Sequence, residues 1–410
     1  MRTFFLTSAA LLFSMQAHAQ TVFVNDATVV APNGAQSKTD IIVVDGAIET
    51  RGARLTAPDG ATIIDGGWVT PGLFAAMSSV GMTDIGSSGP GNDVGSETSK
   101  TNVSEYAADS FNPRSVHVAN VRQHGITHAV IAPRSGSDSI FAGTGAIVSL
   151  TGEFDSILVP EAFVMVDLGE TGTRRAGGSR AAAMSQFRAA IDDAEGFFKR
   201  YTDGPDGGDV LSRQDARAFT RAVKGEIPIL IRVNRAAEIM RLIDLKSNNP
   251  SIKMILIGAA EAWEVADEIA AANIRVVIDP LKNLPDSFES VGSRLDNVIF
   301  LEEAGVDYAI SNLGSLGVTK PATLPQHAGA AVVEGLQWKE AFRAISSIPA
   351  RWFGVSEKSV VIWDGDPMEI TSAPIAMSIN GTAQSMTSRQ KALRDRYNPL
   401  NTDELPHKYR

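Results

Sequence analysis

Short, near-continuous apolar runs recur through the middle of the chain: WVTPGLF (68–74), ITHAVIA (126–132), AIVSL (146–150), AFVMVDL (162–168), IPILIRV (227–233), IKMILIG (252–258), IRVVIDP (274–280) and VDYAIS (306–311). Runs that do not alternate with polar residues mark strands buried on both faces. Helical spacing of apolar positions fills most of the gaps, at 114–124, 179–200, 213–224, 235–247, 260–272, 295–304, 326–335 and 338–347. Eight strands with helices between them predict an α/β fold, a (β/α)8 TIM barrel over residues 71–355. A doubly wound open sheet is the alternative, but no Gly-rich phosphate loop follows the first strand.

The two ends of the chain are patterned differently. Residues 20–70 hold alternating or apolar runs (TVFVNDATVV, DIIVVDGAIET, TIIDGGWVT) broken by Pro32-Asn33-Gly34, Asp45-Gly46 and Asp65-Gly66-Gly67, as short strands and turns require. Similar runs return at SVVIWDGD (359–366) and APIAMSING (373–381). Together, 20–70 and 356–386 predict a small composite β-sandwich domain, followed by a polar tail at 387–410. The Ser-, Gly- and Asn-rich stretch 83–112 reads as too polar to pack. Following the first barrel strand, it is expected as a lid over the carboxyl-terminal mouth or as a disordered excursion.

The first 19 residues have the form of a secretory signal peptide: one Arg, the apolar TFFLTSAALLFSM, and a small-x-small site at Ala17-His18-Ala19. The apolar stretch is shorter than the ~20 residues of a spanning helix, and no later segment spans. The expectation is a soluble periplasmic protein. Without that segment the net charge moves from −10 to −11, which disfavours nucleic acid as a partner. There is no cysteine, so no disulfide supports the fold.

An N-terminal β module, VTPGL leading into a barrel, and a closing VVIWDGDP resemble the amidohydrolase superfamily, in particular its exported imidazolonepropionase-like branch. The resemblance extends over NPRSVHVANVRQHGITHAVIAP, SIFAGTGAIVSL, AGGSRAAAMSQFRAAIDDA, KGEIPILIRVNRAAEI, IGAAEAWEVADEIAAANIRVVIDPLKNLPDSFESVGSRLDN and SRQKALRDRY, nearly all of the chain beyond residue 19. It implies hydrolysis of C–N bonds other than peptide bonds by water activated on zinc or another divalent metal.

The resemblance also implies where the ligands belong, and there the chain departs from it. Members carry His-x-His four and six residues after the Leu of Pro-Gly-Leu; here those positions are Met77 and Ser79. A thioether suits soft Cu(I) and a neutral hydroxyl binds weakly. Arg232, a permanent cation, takes a histidine position on the strand 227–233. The strand 252–258 ends Gly258-Ala259, again without His, and Asn312, or Ser311 by a one-residue slip, stands where an Asp ligand and base is expected. No Lys on 162–168 offers a bridging group, and the loop before VVIWDGDP is shortened. No metal is therefore expected.

Other residues with chemistry are weaker signals. His117, His124 and His128 read as surface or packing residues, His327 as a cap or solvent residue near the last barrel loop, and His407 as part of the tail. AGGSR (176–180) offers a helix start with Ser179 as N-cap, or an anion site with Arg180. Asp167, Glu170, Asn234 and Asp279 lie with Arg232 at or beyond strand ends, the working rim of a barrel. Arg232 beside Asp167 or Asp279 would fill the space of a metal, or serve as a metal-free acid/base pair. The expectation is a degenerate amidohydrolase, a pseudoenzyme acting as a binding or partner subunit, paired with an intact amidohydrolase paralogue or with itself. An active hydrolase of cyclic amides or dipeptide-like substrates is the alternative. The small-molecule ligand is unknown.

Overall fold

The computed structural model describes residues 21–44, 47–85, 89–97, 102–200, 209–314, 320–356, 358–387 and 389–397. The predicted signal peptide and most of the polar tail lie outside the described residues. Two eight-stranded sheets form the frame.

The first sheet joins the two ends of the chain. It contains β1 (Thr21–Val30), β2 (Gln36–Val44), β3 (Ala47–Gly52), β4 (Thr62–Asp65) and β5 (Trp68–Pro71). The second is the barrel sheet: β6 (Leu73–Ser78), β7 (Ile126–Ile131), β8 (Phe141–Ser149), β9 (Ile157–Asp167), β10 (Ile229–Val233), β11 (Met254–Gly258), β12 (Arg275–Ile278) and β13 (Tyr308–Ile310), paired in sequence order. The chain then returns to the first sheet as β14 (Val360–Trp363), β15 (Pro374–Ile379) and β16 (Thr382–Ala383). β14 pairs antiparallel with β5. Val69, Ile362, Val24 and Ile41 share one apolar cluster across that sheet.

The run 68–74, predicted as one barrel strand, serves both sheets. Trp68–Pro71 pairs with β1 and β14, and Leu73–Ser78 pairs with β7. Gly72 lies at the crossing, where a Cβ would run into Thr127. β8 also departs from a (β/α)8 pattern, since it is antiparallel to both β7 and β9. The connections 132–140 and 150–156 hold no helix, and a parallel crossover needs a dozen or more residues. The result is a mixed α/β fold with a nearly closed barrel-like sheet.

Alternation along the strands separates two cores. Phe74, Ala76, Val130, Phe163, Met165, Leu230, Ile255, Ile257, Val277 and Ala309 form the inner cluster. Their neighbours Val164, Val166, Ile229, Ile231, Leu256, Val276 and Tyr308 face outward, in the cluster that contains the helical residues Phe187, Phe219, Leu242, Ile269 and Leu301. The inner cluster contains both Ala76 and Met77, because the β6–β7 register shifts between Ala75 and Ser78. That irregularity reverses the parity of the strand and brings Met77 to the inner face beside Ala76.

The described parts of 83–112 pack, contrary to the polar reading. Val94, Val103 and Ala107 are buried in the outer core. Buried Asp215 accepts from the Ser104 amide at 2.8 Å, the Ser104 hydroxyl at 2.8 Å and the Asn102 amide at 3.0 Å. A few apolar residues anchor a polar stretch when a buried carboxylate satisfies its backbone donors.

Candidate functional site

Extending each strand's alternation to its carboxyl end places Asp167, Arg232, Asp279 and Ser311 on the inward face, after Met165, Leu230, Val277 and Ala309, whereas the positive-φ turn at Gly258 and Ala259 ends the alternation of β11 and carries Ala259 into the outer core. With Met77 and Ser79 they line the mouth of the barrel sheet, where βα loops build active sites.

Asp167 is the centre of one cluster. It ends β9 and is the register partner of Arg232 on β10. Its Oδ1 accepts from Arg232 Nε at 3.1 Å and its Oδ2 from Arg175 Nη1 at 2.6 Å. The Ser135 hydroxyl also donates to Oδ2. Of the two carboxylates open to Arg232 in the sequence, Asp167 is the one it contacts. The Asp167 side chain is 4% exposed, against 17% for Arg175 and 28% for Arg232. Burial pulls the Arg175 guanidinium below its ordinary value, Asp167 opposes this, and neighbouring cations, Arg232 first, add to it. Arg remains charged throughout, so two cations share one buried carboxylate.

The second cluster centres on Asp279. Its Oδ1 is 2.8 Å from His327 Nδ1 and accepts from the Leu281 amide at 3.1 Å, while its Oδ2 accepts from the Leu313 amide at 3.0 Å. His327 is not the cap or solvent residue expected. It lies in the helix Leu324–Val333 with only 7% of its side chain exposed, its ring held by the carboxylate just past the end of β12.

Glu289 builds a third contact that the sequence did not single out. It is buried, accepting from Asn234 Nδ2 at 2.8 Å and from the Glu170 amide at 2.5 Å, and its own amide donates to Glu170 Oε1 at 2.9 Å. Gly169, at φ +61°, makes room for that carboxylate, which a Cβ would strike. Ser135 and Arg175 were missed as well. Both sit outside strand patterns, in the segment after β7 and in the last turn of the helix Gly169–Arg175, where only the fold brings them to Asp167.

The other candidates are placed as follows. Ser311 donates to the Met77 carbonyl at 3.3 Å, and Ser79 is buried with its hydroxyl unpartnered among the described residues. The inward seat at the end of β13 thus belongs to Ser311. Asn312 turns into the loop, donating to Thr323 Oγ1 at 2.8 Å and accepting from the Gly314 amide at 3.0 Å. Ala259 is buried with φ +47° after Gly258 at φ +98°, and Asn297 Nδ2 holds this turn by donating to the Ala259 and Ala260 carbonyls at 3.0 and 3.1 Å. His128 is fully buried and stacks on Phe74, 6.0 Å between ring centroids. His117 contacts the Asp84 carbonyl at 3.2 Å. Ser179 accepts from the Ala182 amide at 3.1 Å, and Arg180 pairs with Glu238 at 3.2 Å.

These residues do not suit a hydrolytic metal. The inward positions at the strand ends offer a thioether, two hydroxyls, a guanidinium and two carboxylates that are on different clusters and already hold cations or backbone donors. A guanidinium at 3.1 Å from Asp167 repels a divalent ion from the space between them. Among the described residues, no group of three His, Cys, Asp or Glu is placed to hold an ion, and no helix is long and apolar enough to cross a membrane.

No protein-family model matches the chain, and no curated protein sequence matches it. Solved structures do. The chain is similar to an amidohydrolase from Thermotoga maritima MSB8, with a TM-score of 0.74 at 20% identity, covering 88% of this chain and 99% of that one. A prolidase complexed with N-methylphosphonate-L-proline (TM-score 0.49, 14% identity, 89% and 99% covered) and molinate hydrolase (0.49, 13%, 90% and 95%) are more distant. The fold of this chain is like that of the Thermotoga maritima amidohydrolase.

Proposed function

We propose that this protein is an amidohydrolase-fold barrel of the exported imidazolonepropionase-like branch that has given up metal-dependent hydrolysis and works as a periplasmic binding or partner subunit, beside an intact paralogue or a second copy of itself. The observation that carries the reading is the Asp167–Arg232 pair. An ion pair with a second arginine stands at inward strand ends where the superfamily fold would seat ligands of a metal. A carboxylate engaged by two guanidiniums and a hydroxyl has most of its lone pairs already taken and a cation on each oxygen, where a metal would have to approach. Incubating the purified chain with a panel of cyclic amides and N-acyl dipeptides, with added zinc and with a chelator, tests this. The reading predicts no turnover in either; zinc-dependent turnover would overturn it.

One observation favours a second reading, an active hydrolase of non-peptide C–N bonds. Asp279 holds His327 by Nδ1, which leaves Nε2 to take a proton from water in the manner of a carboxylate-oriented base. Under that reading turnover survives chelation and is lost in His327→Ala. Retained turnover in that variant would exclude the dyad.

A further inference from the structure

Arg232 uses only Nε on Asp167. Its terminal amino groups have no hydrogen-bond partner among the described residues, and Arg232 lines a cavity of about 50 Å³ at the mouth. Asn297 and Ser293 line the same cavity. Asn297 is 4% exposed, and its Nδ2 is committed to the Ala259 and Ala260 carbonyls. That fixes the amide's orientation and leaves Oδ1 buried without a partner; the Ser293 hydroxyl is buried and unpartnered too. A buried acceptor without a donor costs free energy that a fitting ligand recovers. The other cations of the cavity are occupied: Lys282 by Asp286 at 3.2 Å, and Arg294 by both oxygens of Asp296 at 2.7 and 2.6 Å.

We infer that this cavity binds a small α-amino acid. The inference rests on the metal-free reading of the mouth, because it needs Arg232 as a ligand-binding group. The terminal amino groups of Arg232 form a planar fork that matches a carboxylate. The unpartnered Oδ1 of Asn297 calls for an N–H or O–H donor on the ligand. Asp279 also lines the cavity and favours an ammonium over a hydroxyl as that donor. Its two oxygens already accept from His327, Leu281 and Leu313, which limits its repulsion of the carboxylate.

Calorimetric and thermal-shift titrations of the full chain with glycine, acetate and ethylamine test the assignment. Glycine is expected to bind saturably in the millimolar range or tighter and to raise the melting temperature. Acetate, without the α-donor, and ethylamine, without the carboxylate, are expected to bind about ten-fold more weakly or worse, as loss of a well-made hydrogen bond implies. Arg232→Lys keeps a cation beside Asp167 but removes the fork, and is expected to weaken glycine by a similar factor. Absence of saturable glycine binding, equal binding of acetate, or undiminished binding by a folded Arg232→Lys would overturn the inference. The comparison of glycine with acetate needs no variant, so a misfolded Arg232→Lys leaves the test intact. Absence of glycine binding leaves the zinc and turnover assays as they are, so the two readings fail separately.

Discussion

Replacing Asp167 by Asn removes the one carboxylate that both Arg175 and Arg232 contact. The amide keeps the shape and can still accept at one oxygen, but its NH2 faces whichever guanidinium or hydroxyl donor meets the other atom. Breaking a buried ion pair from one side costs about 3–5 kcal/mol, because it leaves a charge in low dielectric. Here the two cations are not fully enclosed, at 17% and 28% side-chain exposure, so water recovers part of that and about 2–3 kcal/mol is expected. Urea denaturation of the wild type and Asp167→Asn measures the difference. The partner variant Arg232→Met and the double variant then complete a cycle. Since Arg175 keeps Asp167 paired when Arg232 is lost, Arg232→Met alone is expected to cost less than Asp167→Asn, with a coupling of about 1 kcal/mol or more. A loss under about 0.5 kcal/mol in Asp167→Asn, the level of an ordinary surface change, would refute the claim that this cluster holds the mouth together.

Other consequences follow from neighbouring parts of the fold. Gly125→Ala places a Cβ against the Trp363 ring at a residue with φ +84°, and a loss of about 2 kcal/mol or more is expected in the same denaturation assay. Trp363→Phe removes the indole that donates to Thr70 Oγ1 at 2.9 Å; the Thr70 hydroxyl keeps its own bond to the Pro71 carbonyl at 2.8 Å, so a loss of about 1–2 kcal/mol is expected from the missing donor and the smaller ring. Burial holds the Glu238 carboxyl above its ordinary value, with Arg180 opposing. The native state then binds more protons than the unfolded chain just above pH 4.5, so this group lowers stability as pH rises through that range. Glu238→Gln should flatten that slope in stability measured against pH, and an unchanged slope would remove Glu238 as its source.

The frame was legible because buried strands and amphipathic helices carry their own periodicity. The helices expected at 213–224 and 235–247 appear as Arg213–Val223 and Ala236–Asn248. The antiparallel β8 was not legible, since a fully buried run reads the same in either direction and only its short connections show the difference. Nor was the division of WVTPGLF between two sheets, which depends on how closely Gly72 approaches Thr127. At the site, Asp167 and Arg232 were visible as charges at strand ends. Arg175, Ser135 and Glu289 were not, because contacts spanning 8 to 119 residues in sequence leave no local pattern. His327 was visible as a residue but not as the partner of Asp279, since a helix interior and a strand end meet only in the fold.

Under the proposed function, residues at the mouth bind no catalytic metal. Elemental analysis of the full chain, purified from zinc-supplemented medium and dialysed against metal-free buffer, tests it most directly. Zinc, iron and manganese are expected far below one ion per chain, with no change when Asp167 is replaced by Asn. One tightly held ion per chain, lost in that variant, would contradict it.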